Sequence, residues 1–134
     1  MGVRREALEN YLADGSRRGP VPSGAFSGAA GGAACGDLAR ISLAIADGEV
    51  TGATFDAEGC GAMVAATAAA AELAEGRPVT AAARIGSADL DRELGGLTPA
   101  KRHAAVLAAD ALHRALAAAA SSDVRLLQIG RAHV

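Results

Sequence analysis

The sequence predicts an α+β domain: a small antiparallel sheet built on a β-hairpin, helices packed on one face, and a long C-terminal helix. Three observations carry this. Residues 38–46 alternate, with Ile41, Leu43 and Ile45 facing one way and Arg40 and Ser42 the other, as a half-buried strand requires. Asp47-Gly48 follows, a dipeptide suited to a type I′ turn because both central residues of that turn need positive φ. Everything after the returning strand has helical periodicity, and strands first with helices afterwards places the helices on one face of the sheet.

Each element has its own signal. Residues 4–13 read as a short amphipathic helix with Leu8, Tyr11 and Leu12 on one side, ended by Asp14-Gly15. Residues 16–32 are rich in Gly, Ser and Pro and are expected to be a mobile loop. Residues 49–56 return as the second strand, with Ala53 and Phe55 inward. Residues 61–75 form an alanine-rich helix stopped by Gly76 and Pro78, and 79–85 a short apolar turn or helix. Ser87 is expected to cap a helix over 88–94, with Asp89 and Asp91 in its first turn, where the helix dipole favours acids. Gly95-Gly96 ends that helix. Thr98 then reads as an N-cap with Pro99 in the first helical position, opening a helix to about residue 120.

The 134 residues suffice for one domain with one core. Aromatic residues are only Tyr11, Phe26 and Phe55, so the core must be Ala, Leu, Ile and Val with close backbone packing. A net charge of −2 gives no footprint for nucleic acid or for an anionic membrane. No uncharged apolar run approaches the roughly 18 residues of a membrane span. The N-terminus lacks an apolar signal core, and Glu6 argues against myristoylation of Gly2; a cytoplasmic location is the expectation. The domain is expected over 1–120, its first 32 residues being the N-terminal helix and the glycine loop. Residues 129–134 resemble a translated sequencing adapter and 121–123 its other end. The tail 121–134 is therefore expected to be non-native, and His133 is set aside with it.

With two cysteines and no secretion signal, reduced thiols are expected rather than a disulfide. Cys35 lies in Gly-Ala-Ala-Cys-Gly-Asp (32–37), two positions before Asp37, a spacing that lets both reach one ion. Cys60 lies in Gly-Cys-Gly-Ala-Met (59–63) at a helix start, where unpaired N–H groups and the helix dipole favour thiolate. His103 closes Leu-Thr-Pro-Ala-Lys-Arg-His (97–103) at the start of the last helix. Singly, each is more often a small buried residue or a surface histidine. Together, two thiols, a carboxylate and an imidazole are the donors of a small tetrahedral metal site. His113 is too far along the helix from His103 to share an ion, and it and Asp110 read as surface or partner-facing. Glycine-dense 28–36 lacks the GK[ST] of a phosphate loop. No nucleophile context or paired-carboxylate cleft is present, so an enzyme is not expected.

From about residue 20 to 120, these three motifs in this order resemble the U-type iron–sulfur cluster assembly scaffolds, the fold of IscU, SufU and the N-terminal part of NifU. The resemblance implies a scaffold or carrier on which iron and sulfide are assembled. It implies sulfur supplied by a cysteine desulfurase, apo iron–sulfur proteins as clients, and Cys35, Asp37, Cys60 and His103 in ligand positions. It also implies a third cysteine directly after His103, which is both ligand and usual sulfur acceptor in such scaffolds; here it is Ala104. The Leu-Pro-Pro-x-Lys segment read by a dedicated chaperone in some members is Leu-Thr-Pro-Ala-Lys, which counts against that partner. A [2Fe–2S] cluster normally takes four thiolates, and this chain reaches four donors only with Asp37 and His103. A single zinc or ferrous ion accepts the same set readily. The alternative is thus a zinc-binding interaction or regulatory module, or the N-terminal domain of a longer sulfur-transfer protein.

Overall fold

The computed structural model describes residues 2–32 and 36–132. In chain order the elements are α1 (Gly2–Ala13), β1 (Phe26–Gly32), β2 (Asp37–Ala46), β3 (Glu49–Glu58), α2 (Gly61–Ala74), α3 (Val79–Ala82), α4 (Ser87–Glu93), a 3₁₀ turn (Pro99–Lys101) and α5 (Arg102–Ala132). The strands form one antiparallel sheet in the order β1-β2-β3. The β2–β3 hairpin is as the alternation predicts: Ile41 faces Phe55, Leu43 faces Ala53, and all four are buried. Asp47 (φ 53°) and Gly48 (φ 75°) supply the two positive φ values of the turn.

Helices α2 and α5 cover the inner face and touch each other, α5 lying over β1 and β2 and α2 over β3 and β2. The expected α+β architecture is therefore the observed one. The core is alanine where helix meets helix and sheet (Ala65, Ala66, Ala69, Ala108, Ala111, Ala115) and Leu, Ile, Met and Phe between. By length and composition the span Pro99–Ser122 could cross a membrane; half of it is buried, and its apolar side is the core of this domain.

The glycine-rich stretch is not the loop expected. Phe26–Gly32 pairs along β2 from Phe26 opposite Leu43 to Gly32 opposite Asp37. Propensity speaks against a strand of Gly and Ala, but a tertiary demand overrides it. A Cβ at Gly28 would run into backbone atoms of Ala111, Arg114 and Ala115, so α5 sits directly on this strand. Residues 17–19 are fixed too. Arg17 O accepts from Phe55 N–H (2.9 Å) and Phe55 O from Gly19 N–H (3.0 Å), closing the outer edge of β3. Arg17 binds Glu75 Oε2 through Nε (3.1 Å) and Nη2 (2.6 Å), and Glu75 Oε1 accepts from Ala53 N–H (3.3 Å). The Glu75 carboxylate raises the pKa of the Arg17 guanidinium.

Smaller differences concern helix ends. In α1, Leu8 and Tyr11 pack on the core but Leu12 is 46% exposed. Tyr11 Oη donates to Glu93 Oε1 (2.6 Å), joining α1 to α4; burial, then Glu93 and Glu72, push its pKa up. The N-cap of α4 is Gly86, not Ser87: Asp89 reaches back to accept Gly86 N–H at 2.8 Å, which no Ser87 cap could allow. Asp91 instead accepts Leu97 N–H, fixing the turn that leads into α5. Helix α5 continues past residue 120, because the Leu, Arg and Gln that follow are good helix formers with no proline among them.

Candidate metal centre

Three sites of chain reversal meet at one end of the sheet: the start of β2, the β3–α2 junction and the start of α5. Asp37 is the first residue of β2 and pairs with Gly32 across the ladder. Gly59, at φ 130°, follows β3, and a Cβ there would collide with the Asp37 carboxylate. A bare backbone at 59 therefore lets the carboxylate lie against the residue next to Cys60. Cys60 is the N-cap of α2; its carbonyl accepts from Met63 N–H (2.9 Å), while its thiol makes no capping bond and is exposed and free.

His103 is the second residue of α5, placed by the Pro99–Lys101 turn, and its ring is about half exposed. Its Nε2 lies 2.6 Å from Asp37 Oδ2 and its Nδ1 3.2 Å from Ala100 O. Both neighbours are pure acceptors, so both contacts are satisfied together only when each ring nitrogen carries a proton. The Asp37 hydrogen bond first, and the Ala100 carbonyl after it, raise the His103 pKa against a smaller opposing effect of desolvation.

Of the four expected donors, the fold brings Asp37 and His103 into direct contact and sets Cys60 beside Gly59, against which Asp37 lies. Cys35 lies outside the described residues; it immediately precedes Gly36 and Asp37 in sequence. Among the described residues no three of His, Cys, Asp and Glu converge on one point. The Ala100 carbonyl and the Gly59 clearance were not anticipated; the glycines flanking Cys60 were the one available signal.

Ala104, where the resemblance implies a third cysteine, is fully buried: α5 exposes His103 and packs the next side chain into the core. A thiol placed there by Ala104→Cys is therefore expected to react with a disulfide reagent at least about tenfold more slowly than Cys60. Equal rates would show that the first turn of α5 opens readily. His113 is exposed, as its surface reading expects, and it donates from Nε2 to Ile85 O at 2.7 Å, tying α5 to the α3–α4 connection.

The His103–Asp37 pair has a signed pH consequence. A raised folded pKa means the pair's stabilisation is fully present below the ordinary histidine pKa of about 6.5 and is lost as pH rises through the folded value. A metal at Nε2 must displace that proton. Zinc titrated calorimetrically in buffers of different ionisation enthalpy is expected to release fewer protons from His103→Ala than from the parent chain at pH 6.5, by up to about one. Identical proton release would remove His103 from the ligand set.

A family model described as the NifU-like N-terminal domain matches residues 5–124. The chain is 51% identical over 107 residues to the bifunctional protein NifU/MnmA of Rubrobacter xylanophilus, covering 78% of this chain and 22% of that protein. It is 37% identical over 89 residues to the iron–sulfur cluster assembly scaffold protein IscU 1 of Archaeoglobus fulgidus, covering 66% of this chain and 58% of that one. The chain thus spans less than two thirds of the length of either relative. Among solved structures, a protein described as an iron–sulfur cluster assembly scaffold for the SUF system of Fervidobacterium islandicum shares the fold. The TM-score is 0.67 at 16% identity, over 83% of this chain and 94% of that one.

Proposed function

We propose that this chain, which belongs to the NifU-like N-terminal domain family, is an iron–sulfur cluster assembly scaffold or carrier rather than an enzyme. The observation that carries the reading is the Asp37–His103 contact at one end of the sheet, with Gly59, next to Cys60, lying against the same carboxylate and Cys35 two residues before Asp37 in sequence. Iron and sulfide are its cargo. The exposed Cys60 thiol is the natural acceptor of sulfur from a cysteine desulfurase, and an open rim suits transfer to an apo client. Cys35, Asp37, Cys60 and His103 would hold the cargo, with two thiolates where such clusters usually take four.

That shortage supports a second reading, a domain holding a single zinc ion. Ala104 offers no donor and faces the core, while two thiolates, an imidazole and a carboxylate are a comfortable zinc set. In the Asp37–His103 pair the carboxylate would orient the imidazole or bind beside it. Purification without oxygen, followed by metal and acid-labile sulfide analysis, separates the two. Iron with sulfide at the four-residue site establishes the scaffold; zinc without sulfide, unmoved by a desulfurase, cysteine and ferrous iron, establishes the second reading and overturns the first. A cytoplasmic setting belongs to the same proposal, since free thiols persist in reducing compartments.

A further inference from the structure

Far from the metal-donor end, a cleft of about 290 Å³ lies between the end of α2, the α3–α4 connection and α4. Arg77, Arg84 and Arg92 line it, with Leu73 partly exposed and Ile85 buried beneath. Its two acids are committed. Asp89 accepts Gly86 N–H and faces Arg92 at 3.6 Å, and Glu93 holds the Tyr11 hydroxyl. Arg77 and Arg84 have no carboxylate partner among the described residues. Two free guanidinium groups thus flank a mostly polar cleft in which Leu73 is partly exposed, on a chain whose net charge is −2.

We infer that this cleft docks an acidic segment of a partner protein, with carboxylates on Arg77 and Arg84 and a small apolar contact at Leu73. Guanidinium binds carboxylate through paired N–H donors. A patch of three arginines on an acidic chain is too small for a nucleic-acid track. The geometry also separates this contact from cargo handling. Arg77 lies beyond the C-terminus of α2 and Cys60 at its N-terminus, about 20 Å apart along the helix axis. A partner held here leaves the Cys60 rim open, and the inference stands whether that rim carries a cluster or zinc.

The test uses the full chain and a fluorescein-labelled Glu-Glu-Leu-Glu-Glu peptide, followed by anisotropy at low salt. Binding is expected to weaken by at least about tenfold in Arg77→Glu/Arg84→Glu. The control Arg40→Glu, on the exposed side of the sheet, should leave it unchanged. Both arginines are exposed, and matching melting temperatures would confirm that the double variant folds. Equal binding by the double variant, equal loss in the control, or no binding by the parent chain would overturn the inference. So would competition by inorganic phosphate as strong as by unlabelled peptide. Tighter binding of a single-stranded oligonucleotide through the same two arginines would replace the acidic segment with nucleic acid and equally overturn it.

Discussion

Cys60→Ser is expected to weaken zinc binding by about a hundredfold or more, and to abolish cluster reconstitution, while leaving the fold intact. The two effects separate because of where the thiol sits. Cys60 is exposed, makes no side-chain hydrogen bond, and occupies an N-cap position, where serine is among the preferred residues. The metal-free melting temperature should therefore hold or rise slightly. Binding suffers because a soft thiolate is exchanged for a neutral hydroxyl with little affinity for zinc or iron–sulfur centres. Competition against a chromophoric chelator measures the first effect and the visible absorbance of a reconstituted sample the second. Unchanged zinc affinity would remove Cys60 from the donor set. Persulfide mapping after incubation with a desulfurase adds an independent reading, because modification confined to Cys35 would refute Cys60 as sulfur acceptor.

The second large effect is structural. Gly28→Ala should cost about 2–4 kcal/mol and lower the melting temperature by about 10 °C. A single added methyl would meet three backbone atoms of α5, at Ala111, Arg114 and Ala115, and backbone does not rotate aside as a side chain can. Either β1 peels from β2 or α5 lifts from the sheet, and α5 carries His103 at its start. Gly19→Ala is the matched control, since a methyl there meets nothing within 4 Å and its backbone needs no positive φ. Thermal unfolding of the three proteins decides it. A loss shared by the control would point to chain flexibility rather than the helix–strand contact.

That same contact explains what the sequence concealed. The hairpin was legible because Ile41, Leu43, Ala53 and Phe55 alternate around a turn whose residues have few other uses. Helix α5 was legible from Thr98-Pro99. Strand β1 was not, since Phe-Ser-Gly-Ala-Ala-Gly-Gly carries loop propensity and becomes a strand only because an alanine-faced helix needs small residues beneath it. The pairing of Arg17 with Glu75, 58 positions apart, leaves no local trace either. At the proposed metal end, motif order singled out Asp37, Cys60 and His103 as candidates, and the fold places Asp37 against His103. The closing of Asp37 onto His103, and the burial of Ala104 beside it, depend on the rotation of α5, which no spacing encodes.

The lone tyrosine has an optical consequence. With Tyr11 the only phenol and no tryptophan in the chain, near-ultraviolet absorbance is weak and comes almost wholly from one side chain. That side chain is hydrogen-bonded to Glu93, so its circular dichroism and emission read the seating of the first helix against the fourth and little else. Colour or dichroism beyond the phenol's range would arise from a bound metal or cluster alone. Two spectral windows of one sample would thus follow helix docking and metal or cluster binding separately, with no label attached.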